Sequence, residues 1–84
     1  MAYKIKFKSS VVRDLKKIDK SQLKIIFEKI ETVLVEEADQ FPALTGKFAG
    51  LRKYRIGDYR VIYTILDDTL LILRIAHRKE AYRF

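Results

Sequence analysis

Apolar and polar residues alternate at the start of the chain, where Tyr3, Ile5 and Phe7 interleave with Lys4, Lys6 and Lys8. A period of two is that of a half-buried strand, and the lysines mark its outer face. The period then lengthens. Val11, Val12, Leu15 and Ile18 fall on one helical stripe, with Ser9 or Ser10 placed to cap it. Asp19, followed three residues later by Gln22, resembles a capping box and opens a longer helix to about Ala38. There Leu23, Ile26, Phe27, Ile30, Val33 and Leu34 keep the 3.6 period, so the two segments read as a helical hairpin whose apolar stripe is core.

Residues 39–50, DQFPALTGKFAG, hold the only proline and two of the three glycines, which marks a connection and not a domain boundary. Beyond it the pattern is that of strands over 51–56, 59–66 and about 69–77, with turns at Gly57-Asp58 and Asp67-Asp68. The expected fold is α+β: an N-terminal strand, a helical hairpin and a three-stranded antiparallel meander, with the helices on one face of the sheet. One domain spanning residues 1–84 accounts for the whole pattern, and no internal repeat interrupts it.

At 84 residues the chain is near the lower end of what one hydrophobic core can hold, and it has no cysteine for a disulfide or a thiolate metal site. An apolar content of 49% supports a real core. No apolar run approaches the roughly 18 residues of a membrane span, and the alternating amino terminus is unlike a signal peptide. A soluble, cytoplasmic protein without membrane association is expected. The net charge is +7, distributed unevenly: residues 1–46 carry nine basic and seven acidic side chains, residues 47–84 nine and four. The carboxyl half is therefore where a phosphate backbone or an acidic protein is expected to bind.

Within that half, LRKYRIGDYRVIY (Leu51 to Tyr63) reads as a hairpin, because Gly followed by Asp between alternating apolar residues suits a two-residue turn. In that register Ile56 faces Tyr59 and Arg55 stands across from Arg60. Like charges opposed on one face repel, and a bound anion explains why both are arginine. Lys53, two residues from Arg55, shares their face. Arginine stays protonated, so if this face carries acid–base chemistry the base is to be sought among titratable groups such as Lys53, Tyr82 and His77, with Lys53 the first choice. Strict alternation from the Asp67-Asp68 turn pairs Arg60 with Ile75 and sets His77, not Arg78, on the Arg60 side, unless a bulge intervenes. Plainer roles stand beside these: Lys53 and Arg55 as charges on a sheet edge, Arg78 in a surface ion pair with Glu80 or Asp58, His77 as an exposed residue after a strand, and Tyr82 as cover for the sheet.

Residues 44–82, LTGKFAGLRKYRIGDYRVIYTILDDTLLILRIAHRKEAY, resemble the core of the RelE/ParE superfamily of toxins from type II toxin-antitoxin pairs. GDYRVIY followed by HRKEAY carries the likeness, and the amino-terminal strand and helices fit the same family in length and order. The resemblance implies one of two activities: ribosome-dependent cleavage of messenger RNA, as in RelE-like members, or inhibition of DNA gyrase, as in ParE-like ones. A degenerate toxin that only binds its antitoxin is a third possibility. For the nuclease it implies attack of a ribose 2′-hydroxyl on the adjacent phosphate, with no metal and no cofactor. Matched by motif position, the working residues are Lys53, Arg55, Arg60, Arg78 and Tyr82, with His77 as an additional acid or base used by some members. Arg55 stands where the best-known nucleases have lysine. The arginine after the turn motif and the closing tyrosine favour cleavage. The implied partners are a cognate antitoxin, the ribosome and messenger RNA, with no small-molecule ligand.

Overall fold

A computed structural model describes residues 3–79. In it, β1 (Lys4–Phe7) leads into α1 (Ser9–Lys16) and α2 (Lys20–Lys29). The latter runs on through a π-helical turn, Ile30–Leu34, into α3 (Val35–Glu37) and a 3-10 turn, Ala38–Gln40. A connection containing a second 3-10 turn, Gly46–Phe48, reaches β2 (Arg52–Ile56), β3 (Tyr59–Leu66) and β4 (Thr69–His77). The sheet order is β1-β4-β3-β2, with β1 parallel to β4 and the other pairs antiparallel. The expected strand, helical hairpin and meander are all present, in an α+β arrangement.

The π-helical turn has a cause in the spacing of the buried residues. Ile26, Ile30, Leu34 and Ala38 are all fully buried or nearly so, and they recur every four residues. In a regular α-helix each such step drifts by about 40° around the axis. A wider turn, with i→i+5 bonding, takes up that drift and keeps the four on one face. They pack on Val61, Tyr63, Leu70, Ile72 and Ile75 of the sheet. The Tyr63 hydroxyl donates to the Ala38 carbonyl, which ties the end of this helical segment to the centre of β3.

Neither expected side-chain cap forms. Lys8 occupies the N-cap position of α1 and Asp19 that of α2, both without a side-chain cap hydrogen bond. Ser10 is used elsewhere. β1 pairs only with the first half of β4, as far as Phe7 opposite Ile72. Beyond that point α1 runs along the open edge of β4 and satisfies its backbone: Lys8 N donates to Ile72 O (2.8 Å), Ser10 Oγ donates to Leu73 O (2.7 Å), and the Asp14 carboxylate accepts from Ile75 N (2.9 Å). A long-range bond to an exposed strand edge has displaced a local cap, since buried backbone groups left unpaired are costly.

β4 also carries an irregularity. Tyr63 pairs with Ile72 but Ile62 pairs with Arg74, so Leu73 is an extra residue in the ladder. Unbroken alternation after Ile72 would turn Arg74 toward the core beside Val61 and turn Ile75 away from it. Burying an unpaired guanidinium there is prohibitive, and the bulge avoids it.

Candidate nucleic-acid interface

Paired residues share a sheet face, as do residues two apart on a regular strand. The register therefore sets Lys53 and Arg55 of β2, Arg60 and Ile62 of β3, and Arg74 and Ala76 of β4 on one face, with Lys4 and Lys6 of β1. The opposite face, with Val61, Tyr63, Ile72 and Ile75, meets the long helical segment. The face away from that segment thus carries Lys4, Lys6, Lys53, Arg55, Arg60 and Arg74, interspersed with Ile62, Thr64, Leu71 and Ala76. Ile62 is fully buried on it, with Lys53 and Arg74 on either side in the same cross-strand row, where long stems of basic side chains can cover apolar surface.

The Gly57-Asp58 turn forms as expected, with Gly57 at φ 58°, and places Arg55 directly opposite Arg60. Arg55 Nε donates to the Gly57 carbonyl at 3.1 Å, which turns its guanidinium back along the hairpin end. Arg78 joins this end of the sheet: its backbone N–H donates to Asp58 O at 2.7 Å. Arg55, Arg60 and the backbone of Arg78 therefore lie at the tip of the β2–β3 hairpin, and Lys53, opposite Ile62, stands two residues back from Arg55 on the same face. Tyr82 lies outside the described residues, as does Glu80.

His77 is where the expected register fails. The bulge at Leu73 shifts the pairing by one, so Arg60 meets Ala76, not Ile75, and His77 pairs with Tyr59. The imidazole consequently stands on the helix-facing side, edge-to-face with the Tyr59 ring at 5.6 Å and 84°. It lines a cleft of about 300 Å³ with Lys17, Tyr59 and Lys79. Arg78 lies one residue past the end of β4, in a turn. The available signal was Arg74 itself, a charge at a core position of a strictly alternating strand.

Two further residues were not singled out from the pattern of the chain. Asp14, 6% exposed, holds Arg74 in a bidentate pair, with Nε–Oδ2 at 2.8 Å and Nη2–Oδ1 at 3.0 Å. They are 60 residues apart in sequence, and neither lies in a recognisable motif. Arg74 forms one side of a larger cleft, about 530 Å³, that lies between α1 and the open sheet face. Lys8, Ser10, Arg13 and Lys17 wall it on the α1 side; Leu51, Leu73 and Arg74 form the sheet side. Basic character at the site thus draws on the amino half of the chain as well as the carboxyl half. Among the described residues no group of three or more His, Cys, Asp or Glu side chains is arranged to hold a metal ion, and no helix is long and apolar enough to cross a membrane.

Comparison with known proteins follows the same lines. The family model for the "ParE toxin of type II toxin-antitoxin system, parDE" matches residues 5–82. Toxin RelG of Mycobacterium tuberculosis is 34% identical over 90 aligned positions, covering 99% of both chains. The putative toxin RelE1 of Methanocaldococcus jannaschii is 35% identical over 89, covering 99% of this chain and 98% of that one. Among solved structures, the toxin-antitoxin complex RelBE2 of M. tuberculosis contains a chain that superposes with a TM-score of 0.86 at 32% identity, over 93% of this chain and 100% of the other.

Proposed function

We propose that this chain, which belongs to the ParE toxin family of type II toxin-antitoxin systems within the RelE/ParE superfamily, acts by cutting messenger RNA on the ribosome and so arrests translation. The observation that carries this reading is the open sheet face on which Arg55 stands opposite Arg60, with Lys53 two residues along the same strand. A folding requirement alone disfavours two arginines in direct opposition. A phosphate between them turns repulsion into attraction.

In the proposed reaction the ribose 2′-oxygen attacks the adjacent phosphorus. The bond from phosphorus to the 5′-oxygen of the next nucleotide breaks, which leaves a cyclic phosphate. The 2′-hydroxyl proton passes to a base and the departing 5′-oxygen takes a proton from an acid. Negative charge builds on the phosphoryl oxygens, where the Arg55 and Arg60 guanidiniums stabilise it. Lys53 is the base in this reading, because it stands two residues from Arg55 on the same strand face, whereas Lys4 and Lys6 lie on β1 at the opposite edge of the sheet. Arg78, anchored through its backbone to the hairpin turn, adds a cation near that turn. Tyr82 stacks on an unpaired base. His77, on the far side of the sheet, has no part in this arrangement.

A cytoplasmic site of action and a cognate antitoxin go with this reading. The RelBE2 structure is of a toxin bound to its antitoxin, and the basic face here suits an acidic partner that blocks RNA. The name of the matching family supports a second reading, gyrase inhibition without catalysis. Primer extension on a defined messenger RNA, with and without ribosomes, separates the two. The nuclease reading expects ribosome-dependent cuts that fall by on the order of a hundredfold or more in Arg60→Ala, while the variant stays folded. Normal cutting by Arg60→Ala would refute the anion site. No cutting by folded wild-type protein, with loss of supercoiling activity in a gyrase assay, would establish the second reading.

A further inference from the structure

The cleft beside α1 lies on the same sheet face as Lys53 and Arg60, yet none of the residues nominated for the reaction lines it. Four of its seven lining residues are cations, and none is acidic. The nearby carboxylate, Asp14, is taken up by Arg74 and the Ile75 N–H. Arg13 on α1 and Lys17, the residue that caps its C-terminal end, are four apart, about one turn, and both are exposed. Leu51 and Leu73 supply an apolar surface between the cationic walls. Basic walls around an apolar floor are the elements of a single-strand nucleic-acid groove: cations follow the backbone and apolar or aromatic surface receives bases. A volume of about 530 Å³ is in the range of pockets that enclose small ligands.

The cleft is also near the proposed reaction site. Lys53, Ile62 and Arg74 form one cross-strand row, so the strand carrying Lys53 is two strand spacings, about 10 Å, from the one carrying Arg74. We propose that the cleft is a subsite for the RNA strand flanking the cut, in which Arg13 and Lys17 hold backbone phosphates and a base lies against Leu51 and Leu73. This rests on the nuclease reading above for the location of the cut, but it concerns residues on α1 that take no part in the chemistry.

The test compares wild type with Arg13→Ala/Lys17→Ala and with a control that removes the same charge from exposed positions on α2, Lys24→Ala/Lys29→Ala. The probe is a short fluorescent single-stranded RNA with 2′-O-methyl riboses, which cannot supply the attacking hydroxyl; binding is followed by anisotropy across a salt series. Circular dichroism confirms that each variant is folded. The expected result is binding at least tenfold weaker in the α1 variant at low salt. Its log–log salt slope should be shallower by about 1.4, since each contact with a single strand contributes about 0.7, and the α2 control should change less than twofold. A charge-reversed Arg13→Glu/Lys17→Glu variant should bind more weakly still. Equal losses in the α1 and α2 variants would show only general charge attraction and overturn the subsite, as would absence of wild-type binding. Unchanged RNA binding with weakened binding of the cognate antitoxin would assign the cleft to the acidic partner instead and also overturn it. Primer extension separates the premise from the inference: α1-dependent RNA binding without ribosome-dependent cuts defeats the nuclease reading alone, and full cutting with unchanged RNA binding in the α1 variant defeats the subsite alone.

Discussion

Replacing Asp14 by alanine removes the acceptor of three hydrogen bonds at once: Arg74 Nε at 2.8 Å, Arg74 Nη2 at 3.0 Å and Ile75 N at 2.9 Å. The Asp14 and Arg74 side chains are 7% and 17% exposed, so the pair is largely out of water. Breaking a buried pair by removing one partner costs about 3–5 kcal/mol, the most where the remaining charge has nothing else to pair with. Arg74 retains some access to solvent, which favours the low end of that range. The orphaned Ile75 N–H adds about 1 kcal/mol or more. Together the loss is roughly 4 kcal/mol. A domain of this size has only about 4–13 kcal/mol in total, so Asp14→Ala should give up roughly a third of the stability or more. Urea denaturation followed by circular dichroism measures this directly. The double variant Asp14→Leu/Arg74→Leu should recover more than half of the loss, since apolar replacement of both members of a buried pair removes the desolvation cost along with the attraction. A single-variant loss below about 1 kcal/mol, or a double variant no better than the single, would refute the reading of Asp14 and Arg74 as a buried, mutually dependent pair.

Gly57→Ala should destabilise by about 1–2 kcal/mol, because residue 57 sits at φ 58°, a conformation unfavourable to any residue with a β-carbon; the same denaturation series checks it, and an unchanged midpoint would contradict the turn geometry. Tyr63 provides a pH signature. Burial, partly offset by the charge of Arg52, raises its phenol from the ordinary 10.0 to about 12. The unfolded chain therefore ionises first. The stability linked to this proton is whole below about pH 10 and is lost as the pH rises through about 12, by up to about 3 kcal/mol. Tyr63→Phe should lose correspondingly less between pH 10 and 12, and parallel pH curves for the two proteins would count against a buried, proton-retaining phenol.

Period and turn chemistry made most of the architecture legible. The strand at residues 4–7, both helices and the β2–β3 hairpin with Arg55 opposite Arg60 follow from spacing and from one Gly-Asp pair. These are local properties: a strand alternates and a helix repeats whatever it packs against. Three matters could be decided only when distant parts of the chain met. Ser10 reads as a cap, but the open edge of β4, 63 residues away, offers its hydroxyl a carbonyl that would otherwise go unpaired. Leu73 bulges because Arg74 must leave the core and reach Asp14. That one-residue shift moves His77 to the face opposite Arg60, which no count along an idealised strand can foresee. The cleft, finally, joins cations of α1 to β4 and Leu51. By itself the sequence determined which segments would be helix or strand and which cations would share a hairpin. Tertiary structure decided which edges needed partners, and through them which side chains face the same side of the sheet.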